Sequence, residues 1–341
     1  MNIDQLKTEL LCLTEDFRQK GYFPSATVSV TDQKETLLTF SVGEATSDSL
    51  FDLASVTKIC TSTMILLAID EKRLSLDTPL LSVLPELLRG EGLKERLKDI
   101  TMFRLLTHTA GLPDWYPFYA DGRDFTTALA AACKGTHVEG MVYSDLGFIL
   151  LGKVLERLYE QKLDSLLKAR LSVPYRLVQL GYLPDDALPI VPSSFGNPIE
   201  EEMCKTRGFS FAGFRPHMPV RGAVNDGNAY YYLKGVSGHA GVFAPAEGLN
   251  GLIRLYLNTS SPLLLDAMRE HAPTRGLGFQ VNDMYPKGCG HTGFTGTALY
   301  ICREKGIGCT ALTNRLFYEQ PNPHATNDFR RALFKALFNA L

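Results

Sequence analysis

Residues 3–20 place Ile3, Leu6, Leu10, Leu13 and Phe17 three or four positions apart, which predicts an amphipathic helix stopped by Gly21. ATVSV (26–30) and LLTFSV (37–42) are β-rich runs on either side of DQKE and predict a hairpin. From Ser55 to about Arg73 the chain is apolar on nearly every side, the pattern of a buried helix. Between about 76 and 234, proline and glycine punctuate short helical stretches. Among these are TMFRLLTH (101–108) and the amphipathic DLGFILLGKVLERLYEQ (145–161), whereas 174–230 has little periodicity and reads as loop. TALYI (297–301) and IGCTAL (307–312) flank the turn CREKG, and NDFRRALFKALFNAL (327–341) predicts a helix with Asn327 as N-cap.

Strands near both ends are most simply members of one antiparallel sheet. The expected organisation is an α/β domain from residues 1–75 and 235–341, with helices flanking the sheet. A mostly helical domain, 76–234, is inserted, and the active site lies in the cleft between them.

The 341 residues carry a formal charge of −2, which gives no electrostatic reason to expect a nucleic-acid partner. The longest wholly apolar run, MILLAI (64–69), is too short to span a membrane. The N-terminus has no secretory pattern, and the seven cysteines are scattered with no C-x-x-C, so cytoplasm and reduced thiols are the expectation. No cofactor is expected. His108, His239 and His291 show no metal-ligand spacing, so no metal site is predicted. His108 and His239 read as loop-bonding residues. Trp115 and Tyr116 read equally as packing or pocket lining.

Two motifs carry candidate chemistry. KGCGHTGFTGTALY (287–300) contains Gly288, Gly290 and Gly293 in a G-x-G-x-x-G pattern. A dinucleotide loop needs a helix after it and an acid about twenty residues on; here a strand follows and no acid stands near Thr313 or Asn314. The second motif, S-x-x-K, occurs at Ser55–Lys58 and at Ser165–Lys168, the latter in a charged helix where Lys168 reads as a solvated face. Ser55 instead opens the buried helix. There Lys58 shares its face one turn on, and free N–H groups offer partial positive charge. A desolvated lysine at that end is expected to have a lowered pKa and to help deprotonate Ser55. The Ser55 N–H is placed to stabilise an oxyanion.

FDLASVTK (51–58), LLTHTAGLP (105–113), YSDLGFILLG (143–152), GVSGHAGVF (235–243) and HTGFTGT (291–297) together resemble the serine β-lactamase and penicillin-binding-protein superfamily. The likeness is to the branch holding class C β-lactamases, D,D-peptidases, D-aminopeptidases and esterases, and it covers roughly 25–315. It implies a β-lactamase/transpeptidase-like fold, Ser55 as acylated nucleophile, and Lys58 and Tyr143 as its proton-transfer partners. His291, Thr292 and Gly293 take the third-motif place, and the Phe294 N–H completes the oxyanion hole with that of Ser55. Two departures stand out. Asp145 replaces the usual Asn of Tyr-x-Asn, where it is expected to hold Lys58 or cap the helix. His291 replaces a lysine, so a permanent cation that grips substrate carboxylates is lost. The resemblance therefore implies a serine hydrolase acting on a D-amino-acid peptide, muropeptide or ester, with β-lactams as a side activity. The alternatives are a non-hydrolytic penicillin or muropeptide receptor, or a true class C-like β-lactamase. Asp226 and Asn228 lie in a loop (224–232) similar to one in members acting on muropeptides.

Overall fold

The computed structural model describes residues 2–136, 138–320 and 324–340. Its strands are β1 (Ala26–Asp32), β2 (Thr36–Val42), β3 (Phe51–Asp52), β4 (Gly181–Tyr182), β5 (Ser194–Phe195), β6 (Pro219–Val220), β7 (Val242–Ala244), β8 (Cys289–Thr292), β9 (Ala298–Cys302) and β10 (Ile307–Thr313). Five of them form an antiparallel sheet in the order β2-β1-β10-β9-β8. β1 pairs with β10 from Ala26↔Thr313 to Asp32↔Ile307, so residues near both ends of the chain build the sheet centre. β3, β7 and β4 make a small second sheet, and β5 pairs with β6. The mixed α/β architecture with flanking helices and a mostly helical middle is thus present.

Strand alternation explains how the sheet is covered on both faces. Val28 and Val30 of β1 face one way, into a core closed by Leu6 and Leu10 of helix Ile3–Gln19 and by Phe329, Leu333 and Leu337 of helix Asn327–Ala340. Ser29 faces the other way, under helix Ala246–Asn258. Its hydroxyl accepts a 2.7 Å hydrogen bond from Asn250 Nδ2, and Asn250 Oδ1 accepts one of 3.0 Å from Thr310. Buried polar groups are tolerated there because each finds a partner.

The expected buried helix runs Thr57–Asp70, and eleven of its fourteen residues are buried around its whole circumference. It packs in the larger core with helix Asp145–Tyr159, whose expected amphipathic pattern is present. Residues 174–230, expected as loop, contain β4 to β6 and helix Pro198–Thr206. Each is too short to leave a periodic signature. Asn327 is the first helical residue rather than the residue before the helix. Its side chain accepts from Arg330 Nη1 at 2.9 Å.

Candidate active site

The nucleophile candidate is held by a strained turn. Ala54 has φ 46°, a left-handed conformation unusual for a residue with a Cβ. The buried Asp52 carboxylate accepts the Ala54 N–H at 2.8 Å and the Asn225 N–H at 2.6 Å, so the turn is pinned from below. Burial pushes the Asp52 carboxyl up to about 6. Ser55 follows in the short 3₁₀ turn Ala54–Val56, directly before the buried helix.

Lys58 Nζ donates to Ser55 Oγ at 2.9 Å and to the His239 carbonyl at 3.1 Å. It is ion-paired with Asp145 Oδ1 at 2.7 Å and lies 4.9 Å from the centroid of the Tyr143 ring. The expected lowered pKa of Lys58 is corrected here. Burial does pull it down, but the Asp145 carboxylate and the Tyr143 phenol outweigh burial and hold it above the usual lysine value. An opposite charge in direct contact reverses the effect of desolvation. Asp145 therefore holds Lys58, and the helix cap falls to Ser144, whose Oγ accepts the Gly147 N–H at 3.4 Å.

The third-motif turn is tied to the nucleophile turn. Thr295 Oγ1 donates to Asp52 O at 2.7 Å and Thr297 Oγ1 to Leu53 O at 2.9 Å. A Cβ on Gly293 would meet Thr297 Oγ1 at 2.1 Å and Leu53 O at 2.5 Å, so a side chain there would force the two turns apart. This close approach, not a phosphate, is what that glycine serves. Among the described residues, neither the Ser55 nor the Phe294 N–H donates to a backbone carbonyl, which leaves both for an oxyanion.

Ser55, Tyr143, Thr292, Gly293 and Phe294 line one cavity of about 460 Å³, together with Gln280, Arg275, Arg315 and Arg330. His291, expected on this wall, lies behind it. Thr292 points into the cavity and the pleat turns His291 the other way, leaving its ring 1% exposed and 6.0 Å from that of Tyr143. Burial, then Arg275 and Lys58, hold His291 well below the ordinary histidine range, so it is a neutral imidazole. A cation is nonetheless present. Arg275 lies 4.9 Å from the Tyr143 ring centroid, on a ring that also carries Lys58, and its buried Nε and Nη1 make no hydrogen bond among the described residues.

Several of these groups escaped sequence reasoning. Arg275 stands in no motif. Arg330 donates through Nη2 to the Gly293 and Thr297 carbonyls at 2.8 and 2.9 Å, which no local pattern announces. Asp226, singled out in its loop, meets His239 Nε2 at 2.9 Å, and His239 Nδ1 meets Ser237 Oγ at 2.7 Å. Asp145, Asp226 and His239 bring ligand-type atoms within 4.8 Å of one another, and Lys58 supplies positive charge beside them. His108 bonds a loop, its Nδ1 accepting the Ser144 N–H at 3.0 Å. Asn228 does the same, its Oδ1 accepting the Phe118 N–H at 2.9 Å. Trp115 is buried against Tyr119 and Cys204 in a packing cluster. Ser165 and Lys168 are exposed on the surface.

Residues 13–333 match the Beta-lactamase family model. The chain belongs to the Beta-lactamase family. It is a hydrolase of that family. Its relatives include an N-acetylmuramyl-L-alanine amidase of Bacillus subtilis (strain 168), 28% identical over 336 residues, 86% of this chain and 75% of the relative. Penicillin-binding protein 4 of Amycolatopsis lactamdurans is 32% identical over 149 residues, 42% of this chain and 39% of that protein. The crystal structure of a beta-lactamase from Sulfitobacter sp. EE-36 superposes over 100% of both chains with a TM-score of 0.72 at 18% identity, a likeness of fold. Among the described residues no helix is long and apolar enough to cross a membrane.

Proposed function

We propose that this chain cleaves an amide or ester through an acyl-enzyme on Ser55, and that its substrate carries a carboxylate on the leaving-group side. The contact that carries the reading is the 2.9 Å approach of Lys58 Nζ to Ser55 Oγ, at the floor of a cavity open to substrate. Ser55 Oγ attacks the carbonyl carbon and its proton passes to Tyr143, which reacts as the phenolate and so becomes the neutral phenol. The oxyanion forms between the N–H groups of Ser55 and Phe294. Lys58 stays an ammonium, held by Asp145, and with Arg275 it stabilises the Tyr143 phenolate that takes this proton and is formed again when it gives the proton up. As the carbon–leaving-group bond breaks, Tyr143 returns the proton to the departing nitrogen or oxygen. Water then adds to the acyl carbon and restores the Ser55 hydroxyl.

Arg275 lies against the proton donor, so a carboxylate that reaches it belongs to the leaving group. It takes over the role that the missing third-motif lysine would play. The amide named for the Bacillus subtilis relative supports a muropeptide or D-amino-acid peptide over a simple ester. A fluorophosphonate or penicillin probe with intact-mass detection tests the reading. One adduct on Ser55 is expected, with turnover lowered by several orders of magnitude in Ser55→Ala. Folded protein that takes no adduct would sink it. The Asp145–Lys58 ion pair also favours a second reading, a receptor that acylates once and releases slowly. A stoichiometric burst without turnover would select it.

A further inference from the structure

The catalytic cavity does not end at Phe294. That ring is 43% exposed, and the Arg315 guanidinium lies 4.9 Å from its centroid while Nε donates to the Phe294 carbonyl at 2.7 Å. Phe294 and Arg315 thus form a ridge, and both also line a second cavity of about 440 Å³. Its walls include Phe195, Ile199, Met203, Leu316 and Tyr318. The Phe195 ring is fixed by stacking on Phe317, 4.6 Å away and nearly parallel. Tyr143 and Arg275 belong to the catalytic cavity and do not line this one.

Geometry then assigns the two sides of a bound substrate. The leaving group must face the proton donor, so it lies on the Tyr143 side with Arg275. The acyl group, attached to the same carbonyl carbon, must depart in another direction, and the ridge beside the Phe294 N–H opens onto the second cavity. The lining discourages an anion there. Glu200, Glu202 and Glu319 are its acids, while Arg315 is already engaged with Phe294. Burial, then the neighbouring Asp226 carboxylate, push Glu200 up to about 8, so at neutral pH it is mostly a neutral acid. A largely apolar, anion-rejecting pocket selects uncharged groups.

We propose that this second cavity is the acyl-group site, and that it takes an uncharged acyl group presenting the apolar face of a ring. The inference rests on the acyl-enzyme reading above. It is tested with p-nitrophenyl esters of acetic, phenylacetic and succinic acid, each kcat/KM corrected for uncatalysed hydrolysis. In the wild type the phenylacetyl ester should exceed the acetyl ester by about tenfold or more, and the hemisuccinyl ester should fall below it. Ile199 is 41% exposed at the cavity mouth, so Ile199→Asp should fold. It should erase the phenylacetyl advantage over acetyl, while Ile199→Leu keeps the advantage. Acylation of Ser55 with equal constants across the esters, or an advantage that survives in Ile199→Asp, overturns the acyl site alone. Folded protein that no ester acylates overturns the acyl-enzyme reading, and this inference with it.

Discussion

At the scale of single residues, one carboxylate sets the charge of the site. Asp145 stands where the family pattern has Asn, and its contact with Lys58 raises a pKa that burial alone would lower. Removing the carboxylate should leave desolvation in command. In Asp145→Asn, the alkaline limb of the kcat/KM profile, set by loss of the Lys58 proton, should therefore move to lower pH by about one unit or more. A limb that stays in place would separate Lys58 from that titration. Arg275→Met should raise KM about 10- to 100-fold for substrates with a carboxylate on the leaving group, and barely affect neutral esters. Equal losses on both would assign Arg275 a structural role. Ser55, Lys58, Tyr143, Asp145, Gly293 and Phe294 were legible because short motifs name them. Arg275 was not, because an arginine in a loop looks the same whether it meets solvent or a phenol ring. The ionisation of Lys58 was misread for a related reason. S-x-x-K shows burial and a helix end, whereas the deciding carboxylate lies 87 residues further on in the sequence.

At the scale of elements, the nucleophile turn depends on Asp52. It accepts two buried backbone N–H groups and so stabilises Ala54 at φ 46°, a conformation that costs of order 1–3 kcal/mol. Asp52→Ala leaves both donors unpaired and should cost about 2–4 kcal/mol in urea unfolding, with kcat falling alongside. Unchanged stability would mean that the turn is held by other contacts. Helices and strands with repeating patterns were readable along the chain. The hairpin β1–β2 and helix Asp145–Tyr159 each bury a surface that periodicity announces, and helix Thr57–Asp70 is announced by a run that is apolar on nearly every side. β4, β5 and β6 are two residues long each, and pairing partners far away in sequence define them instead of any pattern of their own. The second cavity is lined by β5, helix Pro198–Thr206 and residues 315–320, pieces too short or too irregular to leave a pattern, which is why nothing in the chain foretold it.

At the scale of the whole molecule, stability should respond to pH through Glu200. Its carboxyl is protonated in the folded state up to about 8 but ionises near the ordinary glutamate value when unfolded. Between those points the folded state binds more protons, so stability falls as pH rises through the neutral range. Glu200→Gln mimics the protonated acid. Its Tm should match the wild type near pH 5 and exceed it by several degrees near pH 9. A gap that is constant with pH would show that Glu200 does not govern this loss.

Arg330 reaches from helix Asn327–Ala340 to the carbonyls of Gly293 and Thr297, while Ser55 stands some 275 positions earlier. During synthesis, therefore, the proposed nucleophile emerges long before the proposed oxyanion wall. β1 must wait for β10, and the Gly293 turn must wait for Arg330. On the proposed mechanism, a nascent chain on the ribosome carries its serine and lysine before its oxyanion hole is assembled. Hydrolytic competence should then arrive in one late step, after residue 330 has cleared the exit tunnel.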